Sequence, residues 1–148
     1  MLKTRNLLIQ VASLADLEVN KNQVEIIDRG CPHTPKGLPE GKMGIYMFKC
    51  GDSFLKIGKA SSKSNARFRS QHYAPNRSQS NLAKSILNDP SMRKYNLNDE
   101  SVGTWIEQNV RRIDLLIDSS VGIFVLNLFE AFLHCKYNPK YEGFENQR

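Results

Sequence analysis

The sequence predicts an α/β protein of the α+β type, in which a small antiparallel sheet is flanked by helices. Two β-prone runs around a Gly-Asp turn predict a hairpin within residues 43–60. A further strand candidate lies at 110–118, and segments with helical spacing of apolar residues lie on both sides of it. The length of 148 residues suits one domain, or one domain with a small extension.

Residues 1–40 are predicted to form an N-terminal extension. Apolar residues recur at helical spacing over 4–17, and residues 23–28 alternate as a short strand would. Residues 29–42 hold three prolines and three glycines, which is typical of a loop. The boundary is therefore expected near residue 40, with the main domain over 41–148.

The elements of the main domain follow in order. The hairpin strands are centred on 45–48 and 55–57, and residues 61–73 then read as a helix. Short helices are expected before Pro90 and over 99–109, within a polar, break-rich region. After the strand candidate, residues 121–137 are apolar nearly all round and predict a buried helix, which Asn138 and Pro139 end.

The positive charge is concentrated in one part of the chain. The net charge is +6, yet residues 41–80 alone carry eight lysines and arginines and one acidic residue, a net of +7. Such a block favours binding to a polyanion, of which nucleic acid is the usual one. A solvated basic face is the alternative explanation, and charge alone does not decide between them.

The composition also indicates the cellular compartment of the protein. No apolar run approaches the ~18 residues that a membrane helix needs, so no membrane partner is expected. Three cysteines, an odd and sparse set in a sequence without a recognisable signal peptide, favour reduced thiols. We therefore expect a cytoplasmic protein.

Glu130 is the only formally charged side chain between Asp118 and Lys136. An unpaired carboxylate among apolar neighbours costs several kcal/mol to bury, so it needs a cation, a proton, solvent or a metal ion. The alternative is an exposed edge of the helix. A hard divalent cation such as Mg²⁺ often uses only one or two carboxylates, and with a basic region it is the minimum equipment for phosphodiester cleavage.

The order of these motifs resembles the GIY-YIG nuclease superfamily. Gly-Ile-Tyr at 44–46 is followed by Lys-Ile-Gly at 56–58, and a helix with Arg-Phe-Arg at 67–69 comes next. Much later, a helix that carries Glu130 runs into Asn-Pro-Lys-Tyr-Glu at 138–142. One tripeptide would be weak evidence, but five features in this order are much stronger.

The resemblance implies a core with a three-stranded antiparallel sheet flanked by helices, which agrees with the elements predicted above. The region 74–109 is longer than a minimal version of that fold requires. We therefore expect a helical insertion there, in a place where substrate choice is often encoded.

The resemblance also implies catalytic roles. Tyr46 matches the first tyrosine of the family and would activate or position the attacking water; a free tyrosine titrates near ~10, so the role of a base requires a nearby cation. Lys56 stands where the family name has a second tyrosine, as in some restriction enzymes of the superfamily. Its ammonium would act on Tyr46 or on the phosphate.

Other matched residues would bind phosphate and metal. Arg67 matches the family's helix arginine and would hold the scissile phosphate, with Arg69 as its competitor. Lys59 follows the Lys-Ile-Gly motif and is a further phosphate contact, while His72 lies near a position where some members carry histidine. Glu130 matches the glutamate that holds a single Mg²⁺ or Mn²⁺ ion.

One family position is left without a counterpart. Many members carry an asparagine after the glutamate helix, but here Glu142 stands at that spacing and Asn138 lies at another offset. Glu142 is a candidate second metal contact or a simple turn residue.

The function predicted from these residues is a metal-dependent DNA endonuclease of GIY-YIG type, with RNA as the open alternative substrate. A nucleic-acid-binding module of the same fold with little or no catalysis is the second hypothesis, and a basic protein-interaction domain is the third. Salt-dependent DNA binding would separate the third from the other two. Only catalysis separates the first from the second.

Overall fold

A computed structural model describes residues 2–79 and 81–141 of the chain. The four strands are β1 (Val24–Gly30), β2 (Lys42–Cys50), β3 (Ser53–Ala60) and β4 (Arg111–Asp118). The five α-helices of this part of the chain are α1 (Leu2–Leu14), α2 (Asn65–Arg69), α3 (Leu82–Asn88), α4 (Val102–Asn109) and α5 (Ile123–Tyr137).

The strands form one antiparallel sheet in the order β1-β4-β2-β3. The predicted α+β class is confirmed, but the sheet has four strands and not three. The additional strand, β1, comes from the predicted N-terminal extension and pairs with β4, with Ile26 opposite Leu115. Without β1, the apolar strand β4 would be an exposed edge, which natural sheets avoid.

The two faces of the sheet carry separate hydrophobic clusters, because successive side chains of a strand point to opposite sides. On the first face, Ile45 and Met47 of β2 pack with buried residues of α1 and α5. On the second face, Tyr46 and Phe48 pack with Phe68 of α2 and with residues of α3 and α4. The elements of 74–109 therefore cover the same face as Tyr46.

The helix predicted over 61–73 is much shorter than expected. Helix α2 ends at Arg69, and a 3₁₀ turn at Gln71–Tyr73 follows it. This turn brings the rings of His72 and Tyr73 against Phe48, with ring centroids 5.6 and 5.9 Å away. Packing of these rings on the sheet outweighs the weak tendency of a short polar segment to continue as a helix.

The outer edge of β3 is partly covered by the end of the described chain. The amides of Lys140 and Tyr141 donate to the carbonyls of Phe54 and Leu55, at 2.9 and 2.8 Å. The Tyr141 hydroxyl also donates to the carboxylate of Asp89, the residue that follows α3, at 2.6 Å. Within the described ranges, no helix is long and apolar enough to cross a membrane.

Candidate active site

Tyr46 lies over the glycine of the Lys-Ile-Gly motif. The two residues are paired across β2 and β3, and Tyr46 is only 1% exposed. A Cβ atom added to Gly58 would lie 2.3 Å from the Tyr46 hydroxyl oxygen and 2.6 Å from the adjoining ring carbon. Only glycine therefore leaves room for this tyrosine, which links the two tripeptides of the sequence physically.

His72 packs directly against Tyr46, with ring centroids 4.3 Å apart. Its Nδ1 accepts a hydrogen bond from the Leu82 amide at 3.3 Å, so the proton of the neutral ring is on Nε2. His72 is 2% exposed, and Nε2 is buried with no hydrogen-bond partner in the described part of the chain. A buried N–H group without an acceptor is rare in folded proteins and calls for an explanation.

Positive charge surrounds this histidine. Burial lowers the pKa of His72 well below 6.5, and the charges of Lys56, Arg112 and Arg67 lower it further. The imidazole is therefore neutral at physiological pH. Lys56 is itself buried, on β3 opposite Phe48, whereas Arg67 is exposed on α2. The structure thus brings together four of the predicted residues: Tyr46, Lys56, Arg67 and His72.

A buried ion pair on β4 lies behind this group. The guanidinium of Arg112 donates from Nε to Asp114 at 2.8 Å, and both side chains are 0% exposed. Asp114 also accepts from Arg29 Nε at 2.9 Å. Residues 112 and 114 are two apart in a strand and therefore face the same side, toward the cluster that contains Tyr46.

Arg112 connects this ion pair to the segment that carries the candidate residues. Its Nη2 donates to the Phe68 carbonyl at 2.6 Å and its Nη1 to the Tyr73 hydroxyl at 2.9 Å. Tyr73 in turn is 2.8 Å from His33 Nε2. Since Phe68 and Tyr73 flank His72 and follow Arg67, Arg112 fixes the backbone that positions both.

Sequence reasoning missed Arg112 and Asp114. The available signal was a pair of charged residues at alternating positions inside a strand whose other interior residues, 113 and 115–117, are apolar. Such a pair on the buried face of a central strand requires internal partners, because an isolated buried charge is costly.

Arg69 lies apart from this group. It is exposed on α2 and lines a cleft of about 550 Å³ together with Arg77 and three acidic residues, Asp99, Glu100 and Glu107. Arg67 and Arg69 are two residues apart on a helix, so they do not share a face.

Glu130 lies on the other side of the sheet from Tyr46. Its carboxylate forms an ion pair with Lys59 of β3, and the two side chains are 19% and 37% exposed. Lys59 is opposite Ile45 and so faces α5, whereas the preceding Gly58 faces Tyr46. The predicted site is thus divided between the two sides of β3, which is the outer strand of the sheet.

The surroundings of Glu130 show which ligands the expected metal site would have. Within residues 2–79 and 81–141, no three His, Cys, Asp or Glu side chains group closely enough to form a metal cluster. Glu142 lies outside the described residues. A metal ion at Glu130 would therefore have one described carboxylate, already paired with Lys59, as its acidic ligand; only an ion that retains several waters, such as Mg²⁺, would accept so few protein ligands.

Comparison with known proteins adds no relative from which roles could be transferred. No family model matches the chain, and no curated protein or solved structure matches it significantly.

Proposed function

We propose that this protein is a metal-dependent endonuclease of GIY-YIG type that hydrolyses phosphodiester bonds in DNA. One observation carries the proposal: the buried Nε2–H of His72, which has no acceptor among the described residues, lies against Tyr46 within the positive field of Lys56 and Arg67. A donor without an acceptor, surrounded by cations, is suited to an anionic oxygen. Because Nε2 is buried, a phosphate oxygen of the substrate would supply the missing acceptor only after the residues that cover this atom move apart.

The residues of the site would divide the work as follows. Arg67 would bind the scissile phosphate and stabilise the charge that develops on it, with the neutral His72 N–H as a second donor. Tyr46 would position the attacking water and take part in the transfer of its proton. Lys56, close to both groups, would favour the anionic forms of its neighbours.

Phosphate contacts outside this group would orient the DNA strand. Lys59 and Arg69 lie on opposite sides of Arg67 in the sequence, on β3 and at the end of α2. Their contacts would be independent of base identity and would depend strongly on salt.

Glu130 would hold the metal ion, Mg²⁺ or Mn²⁺. When bound, such an ion acts as a Lewis acid that neutralises negative charge on the phosphoryl and leaving oxygens. Because Tyr46 and Glu130 lie on opposite sides of β3, the phosphodiester would have to cross the outer edge of this strand.

A binding module without catalysis is the second candidate function. The ion pair between Glu130 and Lys59 favours it, since the carboxylate already has a cation. In that case the basic surface would bind DNA, and Glu130 would serve only to join α5 to β3.

Plasmid nicking separates the two functions. Supercoiled plasmid is incubated with Mg²⁺ or Mn²⁺ and with wild type, Glu130→Gln or Glu25→Gln, an exposed glutamate of β1 that controls for the loss of one carboxylate. We expect nicking by wild type and Glu25→Gln, and none by Glu130→Gln or in EDTA. Glu130→Gln should still bind DNA and melt like wild type.

Two results would reject the nuclease. Equal nicking by Glu130→Gln and wild type would remove Glu130 from the mechanism. An intact plasmid in every sample, with salt-dependent DNA binding, would leave the binding module.

A further inference from the structure

Lys59 is the internal cation of the Glu130 carboxylate. The ion pair joins α5 to the outer strand β3, and the glutamate side chain is four-fifths buried. Its helix packs on the first face of the sheet through apolar residues such as Phe129 and Leu133. A carboxylate in such surroundings is costly without a counter-ion, so the pair is what makes this position tolerable when no metal is bound.

The same lysine follows the motif glycine that contacts Tyr46. Gly58 and Lys59 are consecutive. The Lys59 side chain therefore leaves the backbone one residue after the glycine that contacts Tyr46, in the group formed by Tyr46, Lys56 and His72. The lysine side chain is long and has four rotatable bonds, and it is more than one-third exposed. It can therefore leave Glu130 without a change of the backbone.

We propose that Glu130 is a cation-exchange site: Lys59 occupies the carboxylate in the free protein, a divalent cation displaces it, and the released ammonium contacts a DNA phosphate. The inference rests on the proposed function. It assigns to Lys59 a role that links metal binding at Glu130 to the binding of a DNA phosphate. Lysine and a divalent ion repel each other at the distance of a shared carboxylate, so only one of them is held tightly at a time.

Two measurable consequences follow from the exchange. The divalent cation must compete with Lys59, so its affinity is lower than that of the same carboxylate without the lysine. Metal binding also provides one additional cation for phosphate, so metal and DNA strengthen each other's binding, and by linkage this coupling is reciprocal.

Mn²⁺ binding tests the first consequence without any cleavage reaction. The affinity is measured by electron paramagnetic resonance or calorimetry for wild type, Lys59→Met, Lys59→Gln and Glu130→Gln. The control is Lys63→Met, which removes the same charge from an exposed position four residues further along. We expect Lys59→Met and Lys59→Gln to bind Mn²⁺ about threefold to fivefold more tightly than wild type, the upper part of the range expected for removal of one partly exposed ion pair.

The control and the remaining variants define the opposite outcome. Lys63→Met should stay within about twofold of wild type, since an exposed charge is well screened, and Glu130→Gln should lose the site. The proposal is overturned if the two Lys59 variants match Lys63→Met, or if neither wild type nor the Lys59 variants bind Mn²⁺ in a Glu130-dependent manner. A melting scan in EDTA and in Mn²⁺ checks folding, and Mn²⁺ should stabilise Lys59→Met more than wild type.

The salt dependence of DNA binding tests the second consequence. A 20-base-pair duplex with phosphorothioate linkages, which slow cleavage, is titrated at several salt concentrations with and without Mn²⁺. In wild type, Mn²⁺ should steepen the slope of log K against log salt by about 0.9 more than in Lys59→Met, the value for one phosphate contact. Equal changes of slope in the two proteins would contradict the release of Lys59.

The same proteins in the plasmid assay separate this inference from the proposed function. Tighter Mn²⁺ binding by the Lys59 variants with no nicking by wild type would leave the exchange standing and reject the nuclease. Nicking by wild type with unchanged Mn²⁺ affinity in the variants would do the reverse.

Discussion

The buried pair of Arg112 and Asp114 provides the sharpest test of the fold. The change Asp114→Asn keeps the size of the side chain and removes its charge. In the native protein this carboxylate accepts from Arg112 Nε at 2.8 Å and from Arg29 Nε at 2.9 Å, with no exposed surface. The substitution leaves the Arg112 guanidinium buried without its counter-ion.

The expected cost can be worked out from these contacts. Breaking a buried ion pair from one side costs about 3–5 kcal/mol. Arg112 keeps its hydrogen bonds to Tyr73 and to the Phe68 carbonyl, and Arg29 reaches solvent, so we expect the lower end, about 3 kcal/mol. For a chain of this length that corresponds to a fall in the melting temperature of roughly 10 °C.

The neighbouring arginine supplies a matched control. Arg111 points to the opposite side of β4 and pairs with Asp28, and the Arg111 side chain is 53% exposed. Because exposed ion pairs contribute little, Asp28→Asn should cost at most about 1 kcal/mol. The two aspartates thus differ in their own exposure, 0% for Asp114 and 28% for Asp28, and in the exposure of the arginines they bind.

Guanidinium chloride unfolding of the two variants measures both costs. The double variant Arg112→Met/Asp114→Leu removes the buried charges but also the bonds of Arg112 to the Phe68 carbonyl and the Tyr73 hydroxyl, so it should recover only part of the loss. If Asp114→Asn costs no more than Asp28→Asn, or if the double variant is no more stable than Asp114→Asn, the reasoning about the buried pair is wrong.

Two further predictions concern Gly58 and the buried histidines. Gly58→Ala should destabilise the fold by about 1–3 kcal/mol through the overlap with Tyr46, and an unchanged urea midpoint would contradict this packing. Burial lowers the pKa values of His72 and His33, so the unfolded chain takes up protons first as the pH falls. The stability that the two neutral histidines contribute is therefore fully present above about pH 6.5 and is lost as the pH falls toward their lowered pKa values, by at most about 1.4 kcal/mol per pH unit for each histidine. His72→Gln should make the decline in the urea midpoint between pH 6 and pH 5 distinctly shallower, and an equal decline would contradict a neutral buried His72.

The local elements could be predicted from the sequence because their signals are local. The hairpin was indicated by its turn and its β-prone runs, and helix α5 was predicted within two residues of its observed start at Ile123. The partner of β1 could not be predicted, since short alternating strands do not identify the strand with which they pair. The early end of α2 also depends on distant contacts of His72 with Tyr46 and Phe48.

The candidate site was predictable only as a set of residue types. The motifs pointed to Tyr46, Lys56 and Arg67, and the fold brings these near His72 although they are far apart in the sequence. The ion pair of Lys59 with Glu130 was not predicted, because it depends on how α5 lies across β3. The roles assigned to all of these residues remain predictions for the experiments above.

The hydrogen bonds along the outer edge of β3 affect how the molecule behaves in a crowded solution. The carbonyls of Phe54 and Leu55 accept from residues 140–141, and the carbonyl of Ile57 is 2.9 Å from His134 Nε2. A neighbouring chain that offers an extended segment therefore finds these acceptors already engaged. The strand across which DNA is proposed to lie is thus protected against β-sheet aggregation by α5 and by the segment that follows it.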